Sequence, residues 1–184
     1  MKKLLSIALI TILAISLLVA CSNKKDDVSA SATQTGNTDS AAPVEEESPN
    51  GFATRANGWE KDEESYNLRY RNPDNDSIIE FSAEEIPASI STPEAYVKYK
   101  QNQFKETDQF KDSEFTATVS TKAGGTDAVE FTFTTSVYDV VTKYRILYVC
   151  KDEKAYAITC SALEENFEES NVGFQEMIDS YTLD

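Results

Sequence analysis

Between Trp59 and Ala162, apolar residues recur at every second position in a series of short segments. This alternation is typical of half-buried β-strands, and turn-forming residues separate the segments. The pairs Gly124-Gly125 and Asp152-Glu153 are predicted to form hairpin turns. The predicted strands are Trp59–Lys61, Tyr66–Tyr70, Ser77–Glu84, Phe115–Val119, Val129–Thr134, Lys143–Lys151 and Lys154–Ala162.

Two segments have helical signals instead. Thr92 can cap a helix, Pro93 suits its first position, and Glu94 places an acid in its first turn, so a helix is predicted from here to about Glu106. A second helix is predicted at about Ser170 to Ser180, because apolar residues there recur at intervals of three and four. Its apolar stripe consists of Phe174, Met177, Ile178 and Tyr181, and Phe167 extends it.

The predicted order of elements is βββαββββα. In the strand Lys143–Lys151, Ile146 and Tyr148 face one way while Leu147 and Val149 face the other. Apolar residues on both faces indicate a central strand that is covered on both sides. The sequence therefore predicts an α+β domain, with a mostly antiparallel sheet flanked by a helix on each face in an α/β/α sandwich.

The N-terminal segment has the architecture of a secretory signal. Two lysines precede an almost wholly apolar run that ends at Val19, and the small residue Ala20 precedes Cys21. The pattern Leu-Val-Ala-Cys at 18–21 resembles the bacterial lipobox. This resemblance implies that residues 1–20 are removed and that diacylglycerol on Cys21 anchors the chain to the outer face of a bacterial cell membrane. An ordinary signal followed by an incidental cysteine is the alternative.

Residues 21–50 are predicted to be a disordered tether that begins with the lipidated Cys21. The segment is rich in Ser, Thr, Ala and acidic residues and contains no aromatic residue, so it cannot bury enough apolar surface to fold. A flexible chain of this length has a reach of about 30 Å. Residues 51–184 are then predicted to form one globular domain.

Charge and composition narrow the choice of partners. The chain has 17 basic and 32 acidic residues, and residues 51–184 hold 13 and 26 of them, a net charge of −13. Such a surface repels nucleic acid and anionic headgroups, so neither is predicted as a partner. The chain contains no histidine, which excludes Ser-His and Cys-His catalytic pairs and the usual zinc sites. No cofactor is predicted.

Two cysteines remain within the domain. With a two-residue turn at 152–153, Cys150 lies opposite Ala155 and Cys160 lies opposite Arg145, so the thiols are on opposite faces. A three-residue turn places them on one face but roughly 13 Å apart. Neither geometry allows a disulfide, and both thiols are predicted to be buried. A disulfide remains the alternative if the register differs.

Three groups of residues were considered as sites. The acids of the 74–80 segment loosely resemble a calcium loop but lack its glycine and its final glutamate, so a turn with solvated carboxylates is the better interpretation. Acidic residues near the last helix favour its N-terminus. An aromatic surplus on the central hairpins is the predicted binding face. The candidates of the calcium-like turn are Asp74, Asp76 and Glu80. The acids near the last helix are Glu164, Glu165, Glu168 and Glu169. The tyrosines of the predicted binding face are Tyr138, Tyr144, Tyr148 and Tyr156.

Several packing motifs resemble the PsbP-like family, which includes the extrinsic PsbP protein of photosystem II, the Ran-binding Mog protein and small bacterial lipoproteins. They are Trp59, the Tyr-Asn-Leu-Arg-Tyr segment at 66–70, Thr-Pro-Glu at 92–94, Ala-Tyr-Ala-Ile at 155–158, Phe167, and the run from Phe174 to Tyr181. The resemblance covers about residues 59–184 and implies the fold. It carries no catalytic residues, and it implies binding to other macromolecules or support of assembly.

The leading hypothesis from the sequence is a non-enzymatic, membrane-anchored surface lipoprotein that binds an envelope or extracellular protein. The alternative is a lipoprotein that carries a small ligand or a divalent cation, for which the acidity and the tyrosines are the motive. An enzyme that uses a pair of carboxylates without histidine is the third alternative.

Overall fold

The structure is a computed structural model that describes residues 45–48 and 51–183. The predicted signal, Cys21 and most of the predicted tether lie outside the described residues. The elements are β1 (Glu45–Ser48), β2 (Gly51–Thr54), β3 (Glu60–Lys61), β4 (Leu68–Arg71), β5 (Ile78–Glu85), α1 (Pro93–Glu106), β6 (Val119–Ala123), β7 (Thr126–Val137), β8 (Val140–Lys151), β9 (Lys154–Leu163), a 3-10 turn (Glu164–Asn166) and α2 (Phe167–Ser180).

Seven strands form one antiparallel sheet in the order β3-β4-β5-β9-β8-β7-β6. The long hairpin β7–β8 and strand β9 form its centre, and the short strands β3 and β6 form its edges. Strands β1 and β2 form a separate two-stranded hairpin. The predicted α+β class, with a mostly antiparallel sheet and two helices, is confirmed.

The two helices contact alternate residues of the central strand β8. On one side, Tyr96 of α1 lies edge-on to Tyr148, with ring centroids 5.2 Å apart. On the other side, Leu147 belongs to the core cluster that includes Phe174 and Ile178 of α2. Because successive side chains of a strand point to opposite faces, Tyr148 and Leu147 lie on opposite faces of β8.

The sheet has two distinct ends. Strand β7 spans about 36 Å from the turn Gly124-Gly125 to the turn Tyr138-Asp139, at about 3.3 Å per residue. We call the first end the base and the second end the tip. At the base, the amide of Gly124 donates a hydrogen bond to the carbonyl oxygen of Ile178 near the end of α2 (2.9 Å).

The N-terminal part of the domain also joins at the base. Phe52 of β2 pairs with Thr182, just after α2. The amide of Thr54 donates to the hydroxyl of Ser180 (2.8 Å), and Thr54 lies opposite Glu45 in the β1–β2 hairpin. The predicted tether included residues 45–48, but the structure places them in β1. The sequence analysis missed this hairpin because β2 pairs with a segment about 130 residues away, which no local pattern reveals.

Several strand boundaries differ from the predictions: β7 (Thr126–Val137) and β8 (Val140–Lys151) are longer than predicted, and two other strands begin later. The predicted strand Phe115–Val119 is interrupted: Phe115 pairs with Phe133 and Val119 pairs with Glu130, so one side has an extra residue. That extra residue is a β-bulge, and the regular strand β6 begins only at Val119. At β4, the predicted strand began at Tyr66, but Tyr66 is fully exposed and precedes the strand.

The helix predictions are confirmed apart from one boundary. Thr92 caps α1, since its hydroxyl accepts a hydrogen bond from the amide of Ala95 (3.2 Å). Helix α2 begins at Phe167 rather than Ser170, and it carries Glu168 and Glu169 in its first turn. Within the described residues there is no helix with the length and apolar character needed to cross a bilayer.

Candidate functional site

The acidic residues of the predicted cation site do not converge. Glu80 of β5 lies opposite Arg69 of β4, and the Nε of Arg69 donates to its carboxylate (2.7 Å). The same guanidinium also donates to Asp62 (3.2 Å), and Asn67 donates to Glu80 (3.0 Å). Glu80 is therefore held in a largely buried polar network that ties β4 and β5 together.

The other two acids of this group lie in the β4–β5 turn. Asp76 has a left-handed backbone (φ 58°) and accepts a hydrogen bond from the Nε of Arg71 (2.9 Å). The amide of Asp74 donates to the side chain of Asn72 (3.0 Å), as in an Asx turn. In the described part of the chain, no three acidic or sulfur side chains are grouped so that they could hold a metal ion. These residues thus match the solvated turn of the sequence interpretation, with Glu80 as a structural partner.

Two of the four candidate tyrosines belong to the core. Tyr144 stacks on Phe133 with ring centroids 4.8 Å apart, and Tyr148 packs against Tyr96. Burial raises the pKa of Tyr144 to about 12, and burial also raises the pKa of Tyr148. Tyr148 lies under α1, and Tyr144 packs against Phe110 in the segment after α1 (ring centroids 5.8 Å apart), so neither ring is part of an exposed binding face. The sequence analysis did not foresee this because the alternation within β8 shows which residues share a face, but not what covers that face.

The other two tyrosines are separated from that pair. Tyr156 of β9 lies opposite Val149 and packs, partly buried, against the core cluster of α2. Tyr138 lies in the β7–β8 turn with its side chain 96% exposed. The predicted tyrosine face therefore does not exist as one surface, and only Tyr138 is fully presented to solvent.

Tyr138 belongs to an exposed apolar end of the β7–β8 hairpin. Val137 pairs with Val140 next to the turn, Val140 is 51% exposed, and Val141 is 37% exposed. We call these four residues, Val137, Tyr138, Val140 and Val141, the apolar tip. The sequence analysis missed the valines because it began the strand β8 at Lys143. The β-branched residues on both sides of Tyr138-Asp139 were the available signal for longer strands.

The backbone of this turn is unusual for its residues. Tyr138 and Asp139 both have positive φ (51° and 65°), which is the type I′ geometry that favours Asn-Gly. A side chain in this region costs roughly 1–2 kcal/mol, and tyrosine has no side-chain amide or carboxylate to offset it locally. The turn geometry alone therefore does not account for an exposed tyrosine at this position.

On the face of the β7–β8 hairpin opposite to Tyr144 and Tyr148, a buried arginine links the hairpin to α2. Arg145 of β8 donates to Glu130 of β7 (2.8 Å) and to Asn171 and Gln175 of α2 (3.1 and 2.9 Å). The three acceptors surround the guanidinium, which is only 11% exposed. The sequence analysis did not single out this cluster, because its members come together only when α2 packs on the sheet. Its partners indicate a structural role.

The cysteines lie in the predicted register, with Cys150 opposite Ala155 and Cys160 opposite Arg145. Both thiols are free. Cys160 is buried as predicted, whereas Cys150 is half-buried and lines a groove of about 430 Å³ between the β5–α1 loop and the β8–β9 turn. Burial and then the negative charge of Glu94 raise the pKa of Cys150 to about 11, and burial raises that of Cys160 further.

These pKa shifts predict slow thiol chemistry. At pH 8 a thiol with a pKa of about 11 is almost wholly protonated, and the thiolate is the reactive form. We expect Cys150 of the native protein to react with Ellman's reagent about 100-fold more slowly than an unperturbed cysteine, and Cys160 to react only on unfolding. The measurement uses a Cys21→Ala chain, with the same chain in denaturant as the control. Rapid native labelling of Cys150 would contradict the prediction.

With this geometry established, the chain can be compared with known proteins. No family model and no curated protein matches it. Among solved structures, it is similar to cyanobacterial PsbP (CyanoP) from Synechocystis sp. PCC 6803, with a TM-score of 0.57 and 14% identity over 83% of this chain and 98% of that chain. It is also similar to LpqN of Mycobacterium tuberculosis, with a TM-score of 0.53 and 11% identity over 79% and 86% of the two chains.

At these identities the similarity concerns the fold alone. The class that it supports is the PsbP-like α+β domain, as the sequence motifs implied. LpqN is described as involved in cell envelope biogenesis.

Proposed function

We propose that this protein is a membrane-anchored surface lipoprotein whose domain is a non-enzymatic binding or assembly module for an envelope or extracellular protein. The observation that carries the proposal is the apolar tip, where valines and a tyrosine stay exposed on an otherwise acidic domain. Apolar groups that are grouped and exposed in this way commonly mark interaction sites. Aromatic residues such as Tyr138 are enriched at the centres of protein interfaces.

The chemistry of the candidate residues supports binding rather than catalysis. Glu80 and Asp76 are paired with arginines. The thiol of Cys150 is protonated at neutral pH, since its pKa is raised to about 11. The two carboxylates are thus engaged by arginines, and the thiol is not poised for proton transfer or nucleophilic attack at neutral pH.

The fold similarity supports the same proposal. CyanoP and LpqN share the fold, and the role of LpqN in envelope biogenesis fits a protein held at the cell envelope. The proposal extends this similarity to the complete PsbP-like arrangement, one helix on each face of the sheet in the order βββαββββα. The contacts of α1 and α2 with alternate residues of β8 favour that arrangement.

The anchor in this proposal is diacylglycerol on Cys21, and the tether gives the domain its distance from the bilayer. The N-terminal part of the domain joins at the base, where Glu45 lies opposite Thr54. If the chain from residue 21 to this point is the flexible tether of the proposal, its reach would be about 27 Å. The acidic domain is repelled by anionic headgroups, so the tether holds it near the membrane without adhesion.

Replacing Cys21 by alanine tests the anchor. Cells that express the full-length chain are grown with an alkyne fatty acid, and the purified protein is examined for the label. We expect the wild type to be labelled and to remain with membranes, and the Cys21→Ala variant to lose the label completely, since it lacks the thiol that would carry the lipid. A Cys150→Ala variant is the matched control and keeps the label. Label on the Cys21→Ala chain, or none on the wild type, would refute the anchor.

A further inference from the structure

We propose that the apolar tip is the membrane-distal docking point of this module, and that it inserts into an apolar pocket bordered by lysines and arginines on a partner protein. This inference rests on the proposed function and adds to it the location of the contact and the chemistry of the partner. It follows from three features: the position of the tip relative to the anchor, the charge around the tip, and the residues of its turn.

The tip lies at the end of the domain opposite to the base, where the described chain enters the domain. The β1–β2 hairpin, the end of α2 and the Gly124-Gly125 turn meet at the base. Strand β7 leads from there to Tyr138, about 36 Å away. In the proposed anchored protein, the chain from Cys21 would join the domain at the base, and repulsion between the acidic domain and anionic headgroups would favour a tip that points outward.

Negative charge surrounds the tip on both faces of the hairpin. The segments that pack toward this end, residues 106–114, 139–143 and 164–169, contain nine acidic residues and two lysines. Both lysines are paired with acids: Lys111 with Asp108 (3.4 Å) and Lys143 with Glu168 (3.0 Å). Two of these segments are joined to the hairpin next to the tip. Thr142 lies opposite Leu163, which precedes residues 164–169, and the hydroxyl of Thr135 donates to the carbonyl oxygen of Gln109 in residues 106–114 (2.8 Å).

The negative charge around the tip indicates which kind of partner binds this exposed apolar end. Another copy of the chain would bring a second acidic tip, and like charges across an interface oppose association. An anionic lipid surface is disfavoured for the same reason. A protein pocket with a basic border is attracted by the acids and takes up the valines and the tyrosine, so it is the occupant to which we commit.

The β8–β9 turn serves as a control, within the same molecule, for the β7–β8 turn of the tip. The β8–β9 turn, Asp152-Glu153, also has two positive φ values (52° and 64°), but both of its residues are polar. It lies at the base. The pair Tyr138-Asp139 has the same backbone with an aromatic ring at its first position. Changing each pair to Asn-Gly suits the type I′ backbone equally, but only one change removes the ring.

The first experiment places a photo-crosslinking amino acid at chosen positions of the full-length, anchored chain in its own cells. The positions are 138 in the tip and, as matched exposed controls, 66 in the β3–β4 loop and 172 on α2. We expect a protein adduct from position 138 alone. The attached peptide, sequenced by mass spectrometry, is expected to be apolar and flanked by Lys or Arg. In isolated envelopes, salt at about 0.5 M is expected to lower the adduct yield severalfold, because it screens the charges.

The second experiment moves the crosslinker to Val141 and combines it with turn variants. We expect Tyr138→Asn with Asp139→Gly to lower the adduct yield about 10-fold or more, while thermal stability is unchanged or higher. Asp152→Asn with Glu153→Gly is expected to leave the yield unchanged. A loss of adduct without a loss of stability separates a docking role of Tyr138 from a structural one.

The remaining outcomes overturn the inference in distinguishable ways. Lipid adducts from position 138 would mean that the tip contacts the membrane, and adducts with the chain itself would mean that it pairs copies. Protein adducts from 66 or 172 but not from 138 would keep a binding module and place its contact elsewhere. No protein adduct from any position would refute both the tip and the proposed binding function. An adducted peptide without basic neighbours would refute the charge argument.

Discussion

Replacing Phe174 by alanine will lower the free energy of unfolding of this domain by about 4 kcal/mol. Phe174 is fully buried at the centre of the contact between α2 and the sheet. Its ring lies 5.3 Å from that of Trp59 and 5.9 Å from that of Phe167. Truncation removes this burial and leaves a cavity between the rings of Trp59 and Phe167, which are held by two different segments, so the site cannot collapse readily.

The measurement is chemical denaturation followed by circular dichroism. For a domain of this size, a loss of about 4 kcal/mol corresponds to a melting temperature lowered by roughly 15 °C. Val172→Ala is the matched control, because Val172 lies on the same helix with its side chain 65% exposed. Its expected cost is below about 0.5 kcal/mol. Equal costs for the two variants would show that α2 does not cover the core as described.

The second prediction compares alanine substitutions at two adjacent glycines, one of which is the control for the other. Gly124 and Gly125 both have positive φ (52° and 83°), so alanine at either position carries the same kind of backbone cost, about 1–2 kcal/mol. At Gly124, however, a Cβ would lie 1.3 Å from the carbonyl oxygen of Tyr181. At Gly125 a Cβ meets no atom within 4 Å. Gly124→Ala is therefore expected to cost about 2–3 kcal/mol more than Gly125→Ala, because the backbone after α2 must move.

The comparison tests how the base of the domain is closed. The amide of Gly124 donates to Ile178, so a displaced turn also loses this hydrogen bond. Denaturation curves of the two variants give the difference directly, and the shared backbone cost cancels. If both variants lose the same stability, the Gly124-Gly125 turn is not in contact with the end of α2.

Local signals explain the parts of the fold that could be predicted. The Thr92 cap, the paired glycines at 124–125 and the two-residue turn at 152–153 act through neighbouring backbone atoms, and each is confirmed. The turn at 152–153 also determined the register of β8 and β9, and hence the separation of Cys150 from Cys160. A two-residue turn leaves no freedom in which residues face each other, so local sequence sufficed here.

Long-range contacts explain the parts that could not be predicted. The β1–β2 hairpin depends on Thr182, which is distant in sequence. The bulge before β6 depends on how Phe115 reaches Phe133 across the sheet. The burial of Tyr144 depends on Phe110, which lies in the segment after α1 and packs against its ring. In each case the contacting residue lies in another part of the chain, so the sequence pattern of the segment itself does not predict the contact.

The sequence by itself determined the α+β class of the fold and the acidic character of the domain, because periodicity, turn residues and charge are properties of short segments. Only the tertiary structure decided the candidate site. It buried Tyr148 under α1 and Tyr144 against Phe110, paired Glu80 with Arg69, and left Tyr138 exposed beside Val140. Whether a side chain is free to bind is settled by what packs over it, and that depends on contacts between elements far apart in the chain.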